Sequence, residues 1–153
     1  MKRLGLLIII FNLMGCSTQD KVTEVDFTID NFIEYYNHKK GIYVRRYEQK
    51  EDTLLLKLSR TENEKIIKLY NKYNLQRIRK SYHPNPKRVE IPSLPPLCIT
   101  ISDTIKIEIP DGEYTIAERI KMRNIKSFYS DVMNIIRKNE SVNRLEESDI
   151  IFI

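Results

Sequence analysis

Apolar and polar side chains alternate in several short segments of the first third of the chain, and this pattern predicts β-strands. The segment 25–29 alternates with a period of two residues, as a half-buried strand does. The segments 42–47 and 53–58 are separated by a polar run, which predicts a hairpin. The segment 31–37 has no clear period and is compatible with a short helical turn.

Later segments of the chain predict further strands. The segments 97–101 and 104–109 are rich in apolar residues and flank a short polar turn, which predicts a second hairpin. The apolar end of the segment 148–153 predicts a final strand within the sheet. The segment 81–96 contains five of the six prolines and predicts irregular backbone.

Two helices are predicted from apolar residues at helical spacing. Ser59 and Glu62 have the spacing of a capping box, and they open a predicted helix that ends near Asn74. A second helix is predicted to begin between residues 117 and 125 and to end at 137–139. Its apolar stripe consists of Ile125, Phe128, Val132, Ile135 and Ile136.

Together these elements predict an α+β fold. In this interpretation a mainly antiparallel sheet, formed by two hairpins and a C-terminal strand, packs against two helices. A chain of 153 residues has room for one ordinary domain, which we expect to span residues 23–153. A domain of this size buries about two-thirds of the surface of its unfolded chain, so it needs no disulfide framework.

The N-terminal segment has the parts of a signal peptide for export. Lys2 and Arg3 are positively charged and precede an apolar run over residues 4–14. This run is about half as long as the roughly twenty residues that a membrane-spanning helix needs. The pattern therefore predicts a signal peptide rather than a permanent transmembrane anchor.

The apolar run ends in the sequence Leu13-Met14-Gly15-Cys16. This sequence resembles the lipobox of bacterial lipoproteins, in which an aliphatic residue and a small residue precede the cysteine that becomes lipidated. Met14 stands where the lipobox usually has a small residue. The resemblance implies that Cys16 is the site of lipid attachment.

The resemblance also implies how the chain is divided and where it resides. Residues 1–15 would be the signal peptide, and residues 16–22 would be a lipidated N-terminus with a short tether. More than one acyl chain on Cys16 would anchor the protein stably in a membrane. Ser17 follows Cys16, and in many lipoproteins the absence of Asp at this position permits passage to the outer membrane. The sequence leaves open whether the domain faces the periplasm or the outside.

The charge of the chain invites a nucleic-acid interpretation, since its formal value is +5. Loss of Lys2 and Arg3 with the signal peptide would lower this value to +3. Export makes a nucleic acid an unexpected partner, so an anionic envelope surface or a protein is the functional alternative to a solvated basic loop. The candidate binding residues of this basic loop are Arg77, Arg79, Lys80, Tyr82, His83, Lys87 and Arg88.

No sequence motif predicts a catalytic residue, a metal site or a cofactor. His38 and His83 are isolated and predicted at the surface, whereas a zinc site needs three or four N or S ligands. Cys98 lies between apolar neighbours and is predicted to be a buried structural thiol. The four glycines form no phosphate-binding loop.

The sequence therefore favours a lipid-anchored cell-envelope protein with a non-enzymatic binding domain. An immunity or inhibitor lipoprotein that neutralises a toxin is an alternative, because its small size and membrane anchor permit that role. An enzyme with an unrecognised site is a further alternative. A polar cleft containing His83 and at least two acidic residues would favour the enzyme.

Overall fold

The computed structural model describes residues 22–88 and 94–150, and these ranges form one antiparallel sheet and a layer of helices. A 3₁₀ turn, Leu75–Arg77, follows the first helix. The strands are β1 (Phe27–Asp30), β2 (Glu34–Asn37), β3 (Ile42–Arg46), β4 (Glu51–Leu55), β5 (Leu97–Ile101) and β6 (Ile105–Ile109). The helices are α1 (Arg60–Lys72), α2 (Ile116–Arg137) and α3 (Glu140–Asn143).

The six strands are ordered β4-β3-β2-β1-β5-β6, and every neighbouring pair is antiparallel. Ile29 lies at the centre of the sheet, opposite Tyr36 on one side and Ile99 on the other. Alternate residues of each strand face the helices, and all three helices contribute side chains to this one core. The arrangement confirms the predicted α+β class, with a sheet packed against helices.

The strand β2 was not predicted, because its sequence lacks a clear period. Phe32 takes a positive φ of 73°, and the backbone N–H of Asn31 donates to the carbonyl oxygen of Glu34 at 3.0 Å. This tight turn reverses the chain directly after β1. Backbone pairing with β1 and β3 on its two sides then holds β2 in the sheet, where Tyr36 is fully buried. The strand pairing therefore decides a conformation that local sequence leaves open.

Both long helices begin with a capping box. The predicted box at Ser59 and Glu62 is confirmed, and α1 begins at the next residue. A second box forms between Thr115 and Glu118, so α2 begins one residue before the interval that the apolar stripe predicted. The three-residue spacing of Thr115 and Glu118 is that of a capping box, so the sequence could have predicted this helix start.

The described residues after α3 form no strand, which corrects the prediction of a C-terminal strand as far as these residues reach. They cross the ends of β3 and β4, where Arg45 Nη1 donates to the carbonyl oxygen of Glu146 at 2.8 Å. Ser148 Oγ donates to the carbonyl oxygen of Arg46 at 2.7 Å. Hydrogen bonds from side chains thus hold this segment in place of the backbone pairing that a strand would make. Residues 151–153, the rest of the predicted strand, lie outside the described ranges.

Candidate functional site

The predicted basic loop does not form one patch, because backbone pairing holds its two ends in different places. The N–H of Tyr82 donates to the carbonyl oxygen of Lys106 at 2.9 Å, so Tyr82 lies along the edge strand β6. Further on, the N–H of Lys87 donates to the carbonyl oxygen of Glu113 at 2.8 Å. The Glu113 N–H donates to Arg88 in turn, also at 2.8 Å. The two ends of the loop are therefore presented on opposite flanks of α2.

A first groove, with a volume of about 500 Å³, lies between the start of the basic loop and α2. Arg79 and Lys80 line one side, and Lys121 of α2 lines the other. Tyr82 also lines this groove, and its hydroxyl is buried without a hydrogen-bond partner among the described residues. Burial raises the pKa of Tyr82, and the negative charge of Glu118 raises it further, so the phenol stays protonated.

A second groove, with a volume of about 900 Å³, lies on the other flank of α2. Lys87 of the basic loop faces α2 across this groove. The helix contributes Arg119, Arg123 and Lys126, together with two exposed apolar side chains. These are Ile116, which is 69% exposed, and Ile120, which is 61% exposed.

Helical spacing explains how α2 joins the two grooves into one surface. Ile116, Ile120 and Arg123 are four and three residues apart, so they share the outward face of the helix. We call the combined surface the α2 surface; its cations are Arg79, Lys80, Lys87, Arg119, Lys121, Arg123 and Lys126. In the part of the chain that the structure describes, none of these seven cations forms an ion pair with an acid.

Four of the seven predicted binding residues belong to the walls of these grooves, namely Arg79, Lys80, Tyr82 and Lys87. Arg77 is exposed at the end of the 3₁₀ turn, and Arg88 contributes its backbone to the pairing with Glu113. His83 turns away to the outer face of the sheet, where its Nδ1 lies 2.8 Å from Glu108 Oε2. The structure thus brings four of the predicted residues together along the two grooves and places Arg77, Arg88 and His83 apart from them.

Sequence reasoning missed the cations of α2, although a signal was present. The first three turns of this helix contain four cations and only one acid, Glu118, which is engaged in the capping box. Ile116 and Ile120 also fall outside the apolar stripe that packs on the sheet, so they had no predicted partner. A cationic segment with two unpartnered isoleucines is a pattern typical of a contact surface.

The outer face of the sheet brings Cys98, Glu108 and His83 close together, but not as an activated nucleophile. The Glu108 carboxylate lies between the other two groups, with the Cys98 thiol 3.9 Å from Oε1. Burial and the charge of Glu108 raise the pKa of Cys98. The hydrogen bond from Lys106 lowers the pKa of Glu108, which makes this carboxylate a weak base.

The structure corrects the predicted burial of two side chains, Cys98 and His38. Cys98 is half-buried on the outer face, because residues of β5 alternate and its neighbours Leu97 and Ile99 face the core. His38 is half-buried instead of lying at the surface, because its ring stacks on Phe27 at a centroid distance of 5.0 Å.

A buried charge cluster lies at the opposite end of α2, around Glu34. Its carboxylate accepts hydrogen bonds from Tyr43 Oη at 2.7 Å and from Arg137 Nε at 3.1 Å. Arg45 Nη2 lies 3.6 Å away, and Asn31 Nδ2 donates at 3.3 Å. Burial raises the pKa of Glu34, but the hydrogen bonds and the positive charge outweigh it and leave the pKa below its ordinary value. Because every partner belongs to the fold, the cluster acts as a structural connection between α2 and the sheet.

The predicted lipidation site, Cys16, lies outside the described ranges. Within those ranges, no helix has both the length and the apolar character that crossing a bilayer requires. No group of three or more His, Cys, Asp or Glu side chains is placed to hold a metal ion in residues 22–88 and 94–150. Comparisons with protein-family models, with curated proteins and with solved structures give no match to this chain.

Proposed function

We propose that this chain is a lipid-anchored protein of the bacterial cell envelope whose α+β domain is a non-enzymatic binding module. The module contacts an anionic partner through the α2 surface. The resemblance of residues 1–16 to lipoprotein signal sequences supports the anchor. The observation that carries the binding role is the accumulation of seven cations without acidic partners beside two exposed isoleucines.

Electrostatics explains why such a surface favours an anionic partner. The seven cations outweigh Glu113, the one acid among the described residues that line the two grooves, and sum to a positive potential that attracts negative charge and accelerates association. The isoleucines add apolar area whose burial contributes free energy on contact. Some cations elsewhere in the fold are neutralised, as Arg46 is by Asp30 at 2.8 Å. The α2 surface is distinguished because it combines the seven cations with two exposed isoleucines on one helix.

The anchor is tested by the variant Cys16→Ser in the full chain. We expect the wild type to fractionate with membranes and its N-terminal peptide to carry acyl mass, whereas the variant loses both. Cys98→Ser is the matched control, because it removes the other cysteine and leaves the lipobox sequence intact. Membrane association of Cys16→Ser, together with a wild-type peptide that lacks acyl mass, would contradict the anchor.

The binding role is tested by reversing charges on the α2 surface. Arg119→Glu combined with Arg123→Glu should abolish capture of the protein's partner in cross-linked envelopes. Lys57→Glu combined with Lys138→Glu changes the net charge equally at exposed positions outside both grooves. This control should capture the partner as the wild type does. Equal loss in both double variants would show that net charge matters and the α2 surface does not.

A further inference from the structure

We propose that the occupant of the α2 surface is a bilayer that contains anionic lipids, with Ile116 and Ile120 inserted at the level of the head groups. This inference rests on the proposed function and specifies its partner. The protein would then contact the membrane twice, through acyl chains on Cys16 and through one face of α2.

The arrangement of side chains on α2 fits a helix that lies in the plane of a membrane interface. The two isoleucines are one turn apart on the crest, and cations flank them on both sides. Interfacial helices combine an apolar strip that enters the head-group region with Lys and Arg side chains that pair with lipid phosphates. Long basic side chains can reach those phosphates while their methylene stems cover apolar surface.

The predicted tether joins the domain in the helix layer, which also carries the α2 surface. Val22, where the described chain begins, is held at the end of α1: its N–H donates to Asn71 Oδ1 at 3.2 Å, and Asn71 Nδ2 donates to its carbonyl oxygen at 3.0 Å. Tyr73, two residues after Asn71, lines the groove that Lys121 borders. Five residues lie between Cys16 and Val22, and the chain from one to the other spans at most about 20 Å. A lipidated Cys16 would therefore hold the end of α1 within about 20 Å of the bilayer surface.

The outer face of the sheet lacks the features that make the α2 surface suitable. Leu55 on this face is 71% exposed, which is comparable with Ile116. However, its charged side chains include the ion pairs of Arg46 with Asp30 and of Lys106 with Glu108. Charges that are already paired attract anionic lipid weakly. We therefore expect the sheet to face away from the bilayer.

The orientation is tested by photocross-linking of the full chain purified from membranes and added to lipid vesicles. A photoreactive amino acid replaces Ile120 in one protein and Leu55 in its matched control. Vesicles of phosphatidylcholine with phosphatidylglycerol are compared with vesicles of phosphatidylcholine alone. We expect lipid adducts from position 120 in the anionic vesicles and few from position 55.

Charge reversal shows whether these adducts depend on the α2 surface. Each Lys or Arg near an anionic membrane strengthens binding about fivefold, so Arg119→Glu with Arg123→Glu should reduce the adducts by at least about tenfold. Lys57→Glu with Lys138→Glu should leave them unchanged. Adducts that are equal at positions 55 and 120, or absent from both, would overturn the inference.

Failure of this inference and failure of the proposed function give different results. If the partner is an acidic protein, position 120 would cross-link to that protein instead of lipid in intact envelopes. The bilayer inference would then fail, and the proposed binding role would stand. A purified protein without acyl mass would refute the anchor. Adducts at position 120 in the vesicles would then still support docking through α2.

Discussion

The two ends of α2 use the same kinds of charged side chain in opposite ways. At the C-terminal end, Arg137 forms an ion pair with the Glu34 carboxylate, whose side chain is only 5% exposed. Over the first three turns, Arg119, Lys121 and Arg123 are exposed and have no acidic partner in the described part of the chain. Arg137 is itself 48% exposed, so an opposing buried carboxylate, rather than residue type, decides whether an arginine of this helix holds the fold together or remains available to a partner.

The energetic reason lies in desolvation. Removing one member of a buried ion pair leaves an uncompensated charge out of water, which is costly. An exposed cation keeps its hydration shell, so its removal changes the folded state little. The C-terminal end should therefore respond to substitution by unfolding, and the N-terminal end should respond by losing its partner.

The largest effect is expected from Glu34→Gln, which keeps the shape of the side chain and removes its charge. Arg45, which is 13% exposed, would then be a buried cation without a counter-charge, whereas Arg137, which is 48% exposed, would lose its pair but stay in contact with water. We expect the free energy of unfolding to fall by about 3 kcal/mol, measured by urea denaturation. Glu64→Gln breaks the exposed pair with Arg60 and serves as control, with an expected loss of about 0.5 kcal/mol or less. Similar losses in both variants would contradict the structural role of Glu34.

Titration of Glu34 should make the free energy of unfolding depend on pH. Because the pKa of Glu34 is below its ordinary value of 4.5 in the fold, its stabilisation is fully present above that value. The stabilisation is lost as the pH falls from there through the folded-state pKa. Denaturation curves at decreasing pH should thus show a steeper loss of stability for the wild type than for Glu34→Gln. Parallel pH profiles would mean that Glu34 does not titrate with unfolding.

A smaller effect is expected from Thr115→Ala at the start of α2. The Thr115 hydroxyl accepts a hydrogen bond from the Glu118 N–H at 3.2 Å, and the alanine variant leaves this donor uncapped. We expect a loss of about 1 kcal/mol in the free energy of unfolding. Ser59→Ala, in the matching box of α1, should cost a similar amount by the same denaturation assay. An unchanged midpoint would show that the first turn of α2 needs no cap.

The smallest effect on stability is expected from charge reversal on the α2 surface, although the same variant should lose binding. Arg119→Glu with Arg123→Glu should change the free energy of unfolding by no more than about 0.5 kcal/mol per site, because both side chains are exposed. Thermal and urea unfolding of the purified double variant would measure this. A loss as large as that of Glu34→Gln would assign these arginines a structural role and remove the contrast between the two ends of α2.

Part of this contrast could be read from the sequence, and part could not. The capping boxes of both helices are local patterns, and the strands β5 and β6 follow from short apolar runs around a turn. The strand β2 was missed because its conformation depends on pairing with β1 and β3. Glu34 was missed for the same reason: an acid in an ambiguous segment carries no sign that Arg137, 103 positions later, will meet it.

Local sequence patterns are sufficient to predict the α+β class and the caps of the helices, because these depend on neighbours a few residues apart. The excess of positive charge follows from composition. Tertiary structure alone decided which charges are neutralised and which are left exposed. Pairing of Arg88 with Glu113 places Lys87 beside α2, while pairing of Tyr82 with β6 places Arg79 and Lys80 on its other flank. Long-range backbone hydrogen bonds thus assemble the α2 surface from segments far apart in the chain, and no local pattern encodes that assembly.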